Sequence, residues 1–143
     1  MKKSGIFNPL LLLSLFVVSL FGISATLPSD TSLDLPPRWE LLGSKKVNFG
    51  LDRDEIPVTI AEGTFTALKI KVRRSGINMH RMVVHYGNGG TQEIDIRKNI
   101  PQGGETRVID INGGARVIKK VVFWYDTKNI RARKGVIELW GRK

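Results

Sequence analysis

The sequence predicts an all-β chain: an antiparallel β-sandwich, jelly-roll-like, of seven to nine strands, preceded by a signal-peptide helix. Three observations lead there. From Trp39 onward, apolar residues recur at every second position, the period of a strand with one buried face. Glycine clusters interrupt these runs at Asn88-Gly89-Gly90, Gly103-Gly104 and Gly113-Gly114, where a chain reversal needs residues that tolerate positive φ. No segment after Ala25 sustains the 3.6-residue apolar period of an amphipathic helix.

The N-terminus reads as an export signal spanning residues 1–25. Lys2 and Lys3 give it a positive start. Leu10 to Ile23 form an apolar run of 14 residues, and Ser24 and Ala25 supply small residues at the cleavage point. The run is short for a membrane-spanning helix, which needs about 20 apolar residues, so no stable transmembrane segment is expected after cleavage. Residues 26–38 read as a linker, polar and ending in Pro36-Pro37, which remove two backbone donors and favour an extended path. The domain is expected over residues 39–143.

Strands are expected at about 40–48, 56–60, 65–73, 80–87, 91–97, 106–111, 117–125 and 134–141. In the third, Leu68, Ile70 and Val72 share one face, and Lys69, Lys71 and Arg73 the other. In the fourth, Met82, Val84 and Tyr86 alternate with Arg81, Val83 and His85. In the fifth, Ile94 and Ile96 alternate with Glu93, Asp95 and Arg97. Ile109 and Ile111 carry the sixth. Val121, Phe123 and Tyr125 oppose Val122 and Trp124, so the seventh is apolar on both faces and belongs at the centre of a sheet. Ile137 and Leu139 alternate with Glu138 and Trp140 in the last. Asn88-Gly89 is expected to form the tight turn of a hairpin.

Removing residues 1–25 takes away two of 23 cations and none of 13 acids, leaving 118 residues with a net charge of +8. That length suits one domain with a sufficient core. The absence of cysteine leaves neither a disulfide nor an N-terminal lipid-bearing Cys, so the core alone must hold the fold. The basic excess favours acidic partners. An anionic glycan or a lipid headgroup is the expected class, a protein partner is the alternative, and nucleic acid is not expected.

Reactive groups are few. The only histidines, His80 and His85, fall on opposite faces of a regular strand and cannot share a metal there without a bulge. No nucleophile elbow, zinc-protease helix or phosphate loop occurs. Asp52, Asp54 and Glu55 form the densest acidic group, a weak calcium candidate read as a loop, which lacks most of the six to eight oxygens that calcium takes. Glu93 and Asp95 share a strand face and could suggest glycoside hydrolysis. Their simpler role is as cross-strand partners for Lys69, Lys71 and Arg73. Cations gather late in the chain, at Lys128, Arg131, Arg133 and Lys134, with Trp140 near them; this is the candidate binding site, by charge and aromatic stacking. Trp124 is read as a core residue. No catalytic residue and no cofactor is assigned.

Several stretches resemble the YaaI-like family of small exported bacterial proteins of uncharacterised function. They are Leu41-Leu42-Gly43, Asp52 to Val58, Phe65 to Val72, Tyr86 to Gly89, Gly104 to Tyr125 and Val136 to Gly141. The resemblance implies export and a compact β-domain, and supplies no catalytic residues. The expectation is a non-enzymatic binding module at the cell envelope, periplasmic or secreted. A structural or stress-related envelope protein is one alternative; an envelope glycan hydrolase using Glu93 or Asp95 is another.

Overall fold

A computed structural model of the chain describes residues 22, 35–47, 52–127 and 135–143. The export signal, most of the linker and the four late cations Lys128, Arg131, Arg133 and Lys134 lie outside the described residues. Leu35–Lys143 forms one compact unit. Among the described residues no helix is long and apolar enough to cross a membrane.

Among the described residues the unit holds nine strands: β1 (Trp39–Lys46), β2 (Asp52–Pro57), β3 (Thr64–Phe65), β4 (Ala67–Arg73), β5 (Ile77–Tyr86), β6 (Thr91–Ile100), β7 (Ile109–Asp110), β8 (Arg116–Asp126) and β9 (Val136–Arg142). One sheet runs β1-β9-β4-β7; the other runs β2-β8-β5-β6, with β3 also on β8. All pairings are antiparallel. Early strands pair with late ones in nested order: β1 with β9, β2 with β8, β4 with β7, β5 with β6. A long double ribbon rolled onto itself gives that order, so the sandwich is a jelly roll.

The alternation read from the sequence sets the inner faces. Leu68, Ile70 and Val72 from β4, and Ile137 and Leu139 from β9, meet Met79, Met82, Val84 and Tyr86 from β5 and Val121, Phe123 and Tyr125 from β8, all buried. Among the described residues, no buried side-chain nitrogen or oxygen lacks a hydrogen-bond partner. Gln92 ties the two sheets together. It accepts from the buried Tyr86 hydroxyl, accepts from the Asn112 N–H at 2.9 Å and donates to the Asp110 carbonyl at 3.0 Å.

Four expectations change. The second strand is Asp52–Pro57 rather than 56–60, so the acidic group sits on a strand and not in a loop. The third splits at Thr66, because the chain crosses there from one sheet to the other: Phe65 pairs with β8, Ala67 with β9. The sixth shrinks to Ile109–Asp110, since its earlier part runs along β4 as irregular chain. The hairpin loop holds three residues, Gly87-Asn88-Gly89, closed by Tyr86 N–H to the Gly90 carbonyl at 2.8 Å. Only Gly89 takes positive φ there, 89°. That is a turn followed by a left-handed residue, the usual three-residue hairpin, and Asn88 serves instead by accepting the Gly90 N–H at 3.0 Å.

Candidate functional site

The outer face of the first sheet is built by strict alternation. Leu68, Ile70 and Val72 point inward on β4, which turns Lys69, Lys71 and Arg73 outward; Ile137, Leu139 and Gly141 point inward on β9, which turns Glu138, Trp140 and Arg142 outward. Register then sets these residues side by side in rungs. Trp39 pairs with Arg142, Leu41 with Trp140, Trp140 with Lys69, Glu138 with Lys71, and Val136 with Arg73. Alternation leaves Leu41 outside and Leu42 in the core, and a bulge in β1 between Leu41 and Gly43 then sets Gly43 opposite the inward Leu139.

Cations and indoles interlock on this face. The Lys69 ammonium lies 4.4 Å from the Trp39 ring centroid, the Lys71 ammonium 4.7 Å from that of Trp140, and the Arg142 guanidinium 5.7 Å from that of Trp39. Each distance is within the range of a cation–π contact. Glu138, only 7% exposed, accepts from Arg73 Nε at 2.8 Å and from Trp140 Nε1 at 3.1 Å. One buried carboxylate therefore fixes both an indole edge and a guanidinium. Among the described residues, five cations share the face (Lys46, Lys69, Lys71, Arg73 and Arg142) with three carboxylates (Glu105, Glu138 and Asp110), a positive balance.

The outer face of the second sheet is balanced by contrast. Arg81 meets Glu93 at 2.8 Å, Arg97 meets Asp95 at 2.9 Å, and Arg53 and Lys120 both approach Glu55, at 3.9 and 3.3 Å. Trp124 is not a core residue. It lies half-buried on this face with Arg81 at 3.9 Å and Arg53 at 5.6 Å from its ring centroid. The core positions of β8 fall to its inward residues, Val121, Phe123 and Tyr125.

The remaining sequence candidates distribute as follows. Glu93 and Asp95 belong to the second sheet, so they are not partners of Lys69, Lys71 and Arg73, which belong to the first. Asp54 accepts from the Tyr125 hydroxyl at 2.7 Å and pairs with Lys45 at 3.5 Å, with Asp52 beside that same hydroxyl at 3.4 Å. Glu55 turns to the opposite face, toward Lys120, so strand alternation separates the three acids. Among the described residues no group of three or more His, Asp or Glu is gathered as a metal would need. β5 slips register between Met79 and Arg81, and this bulge brings His80 to the outer face that His85 also occupies. Four ordinary rungs still part the two, and His80 binds Asp126 at 2.6 Å, which also accepts from Asn78 at 3.0 Å.

Of the predicted binding residues, Trp140 is on the cationic face, and Lys128, Arg131, Arg133 and Lys134 lie outside the described residues. Sequence reading missed Trp39, Lys69, Lys71, Arg73 and Glu138 as one group. The Lys69-Lys71-Arg73 alternation was visible, but its neighbours come from both ends of the domain.

Fold and face together define a small jelly-roll sandwich with one balanced and one cationic, indole-bearing outer surface. The chain belongs to a domain family of unknown function, DUF2541, matched over residues 10–141. No curated protein and no solved structure matches it.

Proposed function

We propose that this protein is an exported, non-catalytic binding module of the cell envelope that takes an anionic glycan on the outer face of its β1-β9-β4-β7 sheet. The observation behind this reading is the ladder of Lys69, Lys71, Arg73 and Arg142 interleaved with Trp39 and Trp140. The lysines lie over the indoles, where a neutral sugar ring would stack. The face thus offers fixed positive charge rather than open aromatic rings, which suits carboxylate, phosphate or sulfate groups along an extended chain. Among the described residues, Leu41 is the one large apolar side chain exposed on the face, too little to anchor in a bilayer. The signal-like start and the likeness to the YaaI-like family support an envelope location. The pairing of Glu93 with Arg81 and of Asp95 with Arg97, on an open strand, supports binding over hydrolysis.

The test measures binding to alginate, to neutral dextran and to vesicles containing phosphatidylglycerol, at low and moderate salt. Alginate should bind at low salt and weaken with added salt, through screening; dextran should not bind. The triple variant K69Q/K71Q/R73Q should lose alginate. Equal binding by wild type and triple variant, no binding to alginate, or binding to vesicles alone would each overturn the reading. Intact-mass measurement of protein recovered outside the cytoplasm should show the loss of about 25 residues; a chain retaining Met1 to Ile23 would refute export by cleavage.

A further inference from the structure

Glu105 sits where a ligand's anion belongs. Its Oε2 lies 3.5 Å from the Lys69 ammonium and 3.9 Å from the Lys71 ammonium, bridging two cations that stand two residues apart on one strand face. The backbone beneath it is tightly held. Gly103 N–H donates to the Val72 carbonyl at 2.8 Å, Val72 N–H to the Gly104 carbonyl at 3.0 Å, and Thr106 N–H to the Ile70 carbonyl at 2.9 Å. Ile70 N–H donates in turn to the buried Thr106 hydroxyl at 3.0 Å. The carboxylate itself is different. Its side chain is 48% exposed and meets both cations through a single oxygen. The pair with Lys71 is exposed and weak, and the pair with Lys69 is long and open on its carboxylate side, so the carboxylate can leave without disturbing the backbone that carries it.

Lys69 makes the consequence specific. Its side chain is only 14% exposed, packed against the Trp39 ring and beside Glu105. An incoming anion reaches that ammonium by taking the place of the Glu105 carboxylate. Resting on the proposed anion-binding role of this face, we infer that Glu105 is an internal competitor, a built-in anion that a ligand's phosphate, sulfate or carboxylate group must displace from between Lys69 and Lys71. It sets a threshold. Isolated anions compete poorly against a tethered carboxylate, whereas a chain carrying closely spaced charges gains from Arg73 and Arg142 as well and prevails. Such a repulsive element is a common route to selectivity.

The experiment titrates alginate into wild type, E105Q, K71Q and the double variant E105Q/K71Q at low salt, with melting curves to confirm that each is folded. Inorganic sulfate serves as the isolated anion, read by its inhibition of alginate binding. Removing Glu105's charge from two surface pairs should tighten alginate binding about three- to thirty-fold. It should lower the sulfate concentration needed to inhibit, and the gain should shrink in the K71Q background. E105A provides the same test should E105Q misfold. If K71Q weakens binding but E105Q and E105A leave it unchanged or weaker, the competitor role is overturned and the face stands. If the gain is equal with and without Lys71, Glu105 acts through net charge alone and the inference is overturned too. If neither wild type nor E105Q binds alginate, the proposed face fails and this inference falls with it.

Discussion

Gly141 lies on the inner side of β9, between two residues of the cationic face, and the core leaves it no room for a side chain. A Cβ built there would come within 2.6 Å of Phe65 Cδ1 and 2.8 Å of Leu42 Cδ1, where ordinary contact begins near 3.4 Å. The leucine methyl can rotate away. The Phe65 ring cannot do so cheaply: it is fully buried and must retreat by about 1 Å through packed neighbours. Overpacking of this size costs about 1–3 kcal/mol. Replacing a strand glycine by alanine returns about 0.5–1 kcal/mol in chain entropy. Gly141→Ala should therefore destabilise by about 1–2 kcal/mol. With a urea m-value of roughly 1–2 kcal/mol/M, the midpoint should fall by about 1 M at unchanged slope. Phe65→Leu should destabilise alone but relieve Gly141→Ala in the double variant, with a coupling of at least about 0.5 kcal/mol. An unchanged midpoint for Gly141→Ala, or strict additivity in the cycle, would show that β3 and β9 do not meet as described.

Two further perturbations test the turns and the sheet-to-sheet tie. Gly89 takes φ of 89° with open space around it, so Gly89→Val meets backbone strain rather than a clash and should cost about 1–3 kcal/mol in urea unfolding, whereas no loss of stability would remove the three-residue hairpin. Burial pushes the Tyr86 phenol above its ordinary 10.0, outweighing the Arg116 guanidinium and the Asn112 backbone N–H that pull it down. The folded state thus keeps this proton longer than the unfolded chain. The stability it contributes is complete below pH 10 and is lost as pH rises through the higher native value. Tyr86→Phe should start from a lower midpoint, having lost the bond to Gln92, and decline less steeply above pH 10; parallel declines would refute the assignment.

Much of this molecule is written locally. Strand and face follow from side-chain period, because adjacent residues on an extended chain must point opposite ways. Leu68 to Arg73 and Ile137 to Trp140 were legible for that reason, as were the glycine reversals that need positive φ. The faces failed where alternation itself breaks: the bulge at Met79 to Arg81 carries His80 to the side that a regular strand would deny it. Trp124 was misjudged because an apolar residue on a doubly apolar strand looks buried on either side, and only the sandwich decides which side has a second sheet over it. The functional face was illegible for a stronger reason. Trp39 and Trp140 stand at opposite ends of the domain and come onto one face because β1 closes against β9, while Glu105 reaches Lys69 and Lys71 only because irregular chain lies along β4. The sequence by itself determined which residues lie on strands and which glycines turn the chain. The tertiary structure decided which strands share a sheet, and so which charges meet: pairing depends on summed contacts between distant segments that no local pattern encodes.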